Sequence, residues 1–175
     1  MVTIKDVRDS NATFKAIATP GMVAVFGATS GIGMGTLKAF VKYANAPKAY
    51  IIGRSESAAG RLVNDLRLSN PSATLCFLEG ESSLIREVDR LCDEVKSKEE
   101  EVDFVFLSAG CLSFDELSEG IEIPQSLPGA FEELAKSSPR ISFIHKYPGF
   151  VDTGAVGRLM SSTTEFYAIL ATFLD

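Results

Sequence analysis

The feature that most constrains this chain is a fourfold alternation of short apolar runs with helical patterns. Met22 to Phe26, Ala49 to Ile52, Thr74 to Leu78 and Val102 to Leu107 are nearly continuous in apolar residues and have strand-like lengths. Between them the apolar residues move to helical spacing: Leu37, Phe40, Val41 and Ala44, then Leu62, Val63, Leu66 and Leu68, then Leu84, Val88, Leu91, Cys92 and Val95. Asn45 and Pro47 stop the first of these helices and Asn70-Pro71 the second, while Ser55 and Ser82-Ser83 supply opening caps. Strands apolar on both faces must be covered on both faces, and strands joined through helices run parallel. The pattern therefore predicts a doubly wound parallel sheet of the α/β class.

After Gly110 the rhythm breaks. Leu112 to Leu127 is irregular, with Pro124 and Pro128 as breakers. A helix over Gly129 to Ser138 and a strand over Ile141 to His145 follow. The stretch from Leu107 to Ile141 holds one crossover helix, not two with a strand between them. The sheet is thus expected to be shortened to about five strands, with Ile141 to His145 pairing beside Val102 to Leu107 through a right-handed crossover. Otherwise Val102 to Leu107 is left as an exposed apolar edge. Residues 1–154 are read as one truncated domain, and 155–175 as a tail of loop and short helix.

At 175 residues and 46% hydrophobic, the chain suits one domain with a single core. Its formal net charge is −6 and it has no basic tract, which argues against nucleic acid or an anionic membrane surface as partner. The run Lys96 to Glu101 mixes signs, as a solvated helix end does. Lys5, Asp6, Arg8, Asp9 and Lys15 interrupt the N-terminus, so it is not a secretory signal. No stretch approaches the roughly 18 apolar residues of a membrane span. Cys76 in a strand and Cys92 on a helix face read as small hydrophobes, reduced in a cytoplasmic protein; with Cys111 they leave an odd thiol. No metal site is expected.

The turn after the first strand reads Gly27-Ala28-Thr29-Ser30-Gly31-Ile32-Gly33. Glycines at this spacing let the backbone turn sharply, approach a pyrophosphate and pack the new helix on its strand. The helix offers its free N–H groups and positive dipole end to phosphates. Here the sequence resembles the short-chain dehydrogenase/reductase family, in which a GxxxGxG turn opens a Rossmann-like, dinucleotide-binding fold. Ser108-Ala109-Gly110 is similar to the family's Asn-Ala-Gly, which the resemblance places along the adenosine ribose. Pro148-Gly149 with Thr153 resembles its Pro-Gly motif, which holds the nicotinamide carboxamide. The wording of the Gly27 to Gly33 turn and of Tyr147 to Gly154 is most similar to reductases of fungal secondary metabolism. Arg54, directly after the second strand and followed by Ser55, stands where a cation pairs with the 2′-phosphate of NADP(H) rather than with the free ribose of NAD. Glu81 stands near the family's adenine-binding Asp; a solvated glutamate at a helix start is the equal reading.

The resemblance covers residues 1 to about 110 and resumes from about 129 to 154. The segment it skips is the one that would carry the family's Ser and Tyr-x3-Lys. In that family the Tyr donates the proton that hydride transfer to a carbonyl requires, with its pKa lowered by the Lys one helical turn on. Pro47, Val151 and Ala171 lie four residues after Tyr43, Tyr147 and Tyr167, and Tyr50 is followed by Arg54 across a strand. None fits. His145 and Tyr147, at the end of the last expected strand, fall on opposite faces by strand alternation, and a lone His is more often structural; Cys111 and Ser113 have no base visible beside them. The family's dimer interface lies in the same segment, so oligomers are expected to use another surface.

Three functions follow as expectations. The first is NADP(H)-linked hydride transfer to or from a carbonyl or alcohol of a small secondary metabolite. The second is a redox-silent nucleotide binder or truncated remnant, and the third a cofactor-independent isomerase or cyclase reusing the cleft.

Overall fold

Successive residues of β1 and β2 pack toward opposite faces of the sheet, and this division assembles the fold. The structure, a computed structural model, describes residues 2–27, 29–82, 84–108, 135–137, 141, 142 and 144. Its elements run α1 (Ile4–Ile17), β1 (Val23–Gly27), α2 (Gly31–Tyr43), β2 (Lys48–Gly53), α3 (Glu56–Ser69), β3 (Thr74–Glu79), α4 (Ile85–Lys96) and β4 (Phe104–Leu107). The described residues fall in two compact units divided after Cys111. All these elements belong to the first; in the second, Ala135 to Ser137 are helical.

The four strands are parallel in the order β3-β2-β1-β4. Ala24 and Phe26 of β1 and Ala49 and Ile51 of β2 face Leu37 and Val41 of α2 and Leu62 and Leu66 of α3. The intervening residues, Val23, Val25, Tyr50 and Ile52, join Leu78 of β3 and Leu91 and Val95 of α4 in a second core on the opposite face. Helices therefore cover both faces, as strands without polar alternation require. Phe26, Phe40, Phe104 and Phe106 form an aromatic cluster with neighbouring ring centroids 5.4–6.4 Å apart, anchoring β4 beside β1.

Several expectations are corrected. Among the described residues the sheet has four strands, and Ile141, Ser142 and Ile144 lie in none. The rest of that expected strand, most of the 129–138 helix and the tail lie outside the described residues. Leu68 and Cys92 are exposed. Each is offset from the buried i, i+4 pair of its helix, Leu62–Leu66 and Leu91–Val95, so it turns off the core-facing stripe. Helix α4 begins at Ile85 on Leu84, which makes no side-chain cap bond, rather than on the Ser82-Ser83 pair. Ser55 does cap α3, accepting from the Ala58 N–H at 3.3 Å.

Helix α1 had no counterpart in the sequence reading. Thr3 and Asp6 open it with reciprocal bonds: the Thr3 N–H donates to Asp6 Oδ2 at 2.8 Å and the Asp6 N–H to Thr3 Oγ1 at 3.2 Å. The Thr3 backbone N–H, seconded by its hydroxyl, holds the Asp6 carboxyl below the ordinary aspartate value. Helix α1 buries none of its residues.

Candidate nucleotide site

The chain runs β1, β2, β3 outward in one direction, then returns to place β4 on the other side of β1. This reversal opens a crevice at the carboxyl ends of β1 and β4, where ligands bind in open α/β sheets. The register brings the strand ends level: Gly27 pairs with Ile52 and Leu107, and Gly53 with Glu79. The residues after each strand therefore share one edge of the sheet.

The Gly27 to Gly33 turn lies at the centre of that edge. Ser30 is extended and makes no side-chain cap bond; Gly31 then takes φ +59°, a left-handed conformation that favours glycine, and starts α2. The first helical bond runs from the Met34 N–H to the Ser30 carbonyl at 3.1 Å. By helix geometry the N–H groups of Gly31, Ile32 and Gly33 have no carbonyl to receive them within the helix. Gly33 is buried, which seats α2 close on the sheet. From the β4 side, Ser108 Oγ donates to the Gly27 carbonyl at 3.2 Å and ties the two walls of the crevice together.

On the β2 side, Thr29 leans over the strand end. A Cβ on Gly53 would lie 2.6 Å from Thr29 Cγ2 and 3.1 Å from Phe77 Cζ, so only glycine admits this contact. Arg54 follows with its side chain 81% exposed, its Nε 4.0 Å from Glu81 Oε2. Arg54, Glu79, Gly80, Glu81 and Glu87 line an open cleft of about 310 Å³. The Ser55 hydroxyl is engaged by the α3 cap and lies 2.9 Å from Ser57 Oγ. The Glu79 carboxylate accepts from the Glu56 N–H at 3.2 Å, in the first turn of α3.

The structure thus gathers Gly27, Thr29, Ser30, Gly31, Ile32, Gly33, Arg54, Ser55, Glu81 and Ser108 along one edge. Ala109, Gly110, Pro148, Gly149 and Thr153 lie outside the described residues, as do Cys111, Ser113, His145 and Tyr147. Gly53 and Glu79 were missed. Glycine immediately before Arg54 was the available signal for the first; nothing in sequence places the Glu79 carboxylate at the start of α3, twenty-three residues earlier.

Tyr50 is committed elsewhere. Its hydroxyl donates to Glu99, which also pairs with Lys48 at the amino end of β2, and the Lys48 ammonium lies 5.6 Å from the Tyr50 ring centre. Burial, then the bond to Glu99, pushes the Tyr50 hydroxyl pKa up. A raised pKa makes it a poorer acid, and Glu99 already holds its proton.

Among the described residues no group of His, Cys, Asp and Glu is arranged to hold a metal, and no helix is long and apolar enough to cross a membrane. No family model matches the chain. The chain is 30% identical to the oxidoreductase AN1596 of Emericella nidulans over 239 aligned positions, which take in the whole chain and 69% of that protein. It is 37% identical over 118 residues to the NmrA-like family domain-containing oxidoreductase notO of an Aspergillus species, covering 66% of this chain but 36% of that one. In structure it is similar to L-sorbose reductase from Gluconobacter frateurii complexed with NADPH and L-sorbose. The TM-score is 0.51 at 21% identity, over 69% of this chain and 47% of the reductase.

Proposed function

The chain belongs to the short-chain dehydrogenase/reductase-like family of oxidoreductases, and from that premise we propose that its carboxyl-edge crevice binds NADP(H). The observation that carries this reading is the uncapped, left-handed start of α2 at the topological switch point, level with Arg54. These residues fit the cofactor. The Gly31 to Gly33 amides and the helix dipole suit a pyrophosphate, Arg54 suits a 2′-phosphate, and Ser108 holds the crevice wall opposite. Ser55 contributes by fixing the start of α3 and hence the base of Arg54. Pro148, Gly149 and Thr153 are assigned to the nicotinamide end, with Ala109 and Gly110 along the ribose, on the family resemblance.

When bound, the cofactor would give a hydride to a carbonyl as NADPH or take one from an alcohol as NADP+, and the substrate class this supports is the carbonyl or alcohol of a small secondary metabolite. A second reading, a redox-silent nucleotide binder, is favoured by one specific observation. The 239 aligned positions exceed the chain's 175 residues by 64, so at least 64 residues of the relative stand opposite gaps in this chain. A gap that took in the Ser and Tyr-x3-Lys segment would leave a nucleotide binder without its proton donor. Turnover separates the two. NADPH consumption with any member of a panel of small ketones and aldehydes supports the reductase. NADPH-dependent thermal stabilisation without consumption supports the silent binder, and neither effect in folded protein sinks both.

A further inference from the structure

The edge of the sheet that holds Arg54 also holds carboxylates, delivered there by the β3 end. The Gly80 N–H donates to the Gly53 carbonyl at 3.0 Å, which carries the β2–β3 pairing one residue past the strand and sets the glutamates on either side of Gly80 beside Arg54. Arg90 fixes the same turn from α4, its Nη2 donating to the Glu79 carbonyl at 2.7 Å while also pairing with Glu87 at 2.9 Å. A Cβ on Gly80 would come within 2.9 Å of Leu91 and 3.0 Å of Arg90, so this turn is pressed against α4. Glu81 then faces Arg54 at 4.0 Å, and Glu79 lies on the Glu56 N–H in the first turn of α3. The cation and the helix start that would hold a 2′-phosphate are each already met by an anion of the chain.

We infer that Glu81 and Glu79 set the nucleotide preference of this site, by competing as internal anions with the 2′-phosphate of NADP(H) for Arg54 and the start of α3. The inference rests on the nucleotide-binding reading. A 2′-phosphate must take over Arg54 from Glu81 and settle near two carboxylates, a repulsion that salt weakens. The neutral 2′-hydroxyl of NAD(H) meets no such repulsion and can donate to either carboxylate. The wild-type chain therefore prefers NADPH over NADH by less than Arg54 alone would provide. Removing one carboxylate charge raises that preference.

The test is titration of NADPH and NADH into the wild type and into Glu81→Gln, Glu79→Gln, Arg54→Ala and the Glu81→Gln/Arg54→Ala pair, each first shown folded by circular dichroism. Glutamine at 79 keeps an acceptor for the Glu56 N–H, so the helix start survives. Glu81→Gln is expected to tighten NADPH about three- to tenfold at low salt, the scale of one exposed charge acting on a dianion. NADH affinity should stay within about twofold, and the gain should shrink in the pair lacking Arg54, where only the direct repulsion of the 2′-phosphate is left to relieve. Equal shifts for both nucleotides, or an undiminished gain without Arg54, would overturn the inference while leaving nucleotide binding intact. Binding of neither nucleotide by the wild type would bring down the underlying reading and this inference with it.

Discussion

Asn70 terminates α3 along the chain and α2 in space. Its amide donates to the carbonyls of Val41 and Ala44 at 2.8 and 3.2 Å, and its oxygen accepts from the Ser72 N–H and hydroxyl. As a helix stop it was legible in Asn70-Pro71; as a cap for carbonyls more than twenty residues earlier it was not, because that role exists only once β2 and β3 pair. Asn70→Ala strands two carbonyls at a buried helix end and should cost about 1–3 kcal/mol in urea unfolding. Gly53 acts at similarly close quarters. Gly53→Ala should push Thr29 off the β2 end and weaken NADPH binding several-fold, with little change in melting temperature. Glu99 adds a pH dependence. The Lys48 ammonium, then the Tyr50 hydroxyl, hold its carboxyl below the ordinary glutamate value. A carboxyl depressed on folding contributes stability above its unfolded pKa, about 4.3, which is lost as pH falls through the lower folded value. Melting temperature should therefore fall more steeply in acid for the wild type than for Glu99→Gln.

At the scale of elements, strands and helices from β1 to β4 were legible from their apolar runs, which β1 and β2 bury on both faces of the sheet. Helix α1 was not, since it buries no side chain and its signal is the Thr3–Asp6 box alone. Of the expected fifth strand, Ile141, Ser142 and Ile144 lie in no strand, and Phe143 and His145 lie outside the described residues; an apolar run has strand composition, but pairing is a long-range property that composition does not specify. Among the described residues β4 ends the sheet, with Val105 54% exposed and Leu107 66%. Apolar edge strands template association. Val105→Lys should lower the apparent mass or aggregation seen in gel filtration at high concentration, and should leave the circular dichroism spectrum unchanged.

For the whole molecule, the strand order and the Gly27 to Gly33 turn are enough to locate the crevice, and both follow from local pattern plus the right-handed crossover rule. The balance of charge around Arg54 was hidden, because Glu79 and Glu81 reach it only through the β2–β3 register. The chain covers 69% of one relative and 36% of another, and turnover is what tests the proposed reductase activity, whereas the proposed phosphate contacts, Gly31 to Gly33 and Arg54, are residues the structure describes. Calorimetric titration of the folded protein with NADPH, beside Arg54→Ala, addresses that binding most directly. The account expects saturable one-site binding by the wild type, weakened about tenfold or more in Arg54→Ala, on the scale of a charge-assisted contact to phosphate. No heat of binding, or equal affinity in the two proteins, would contradict it.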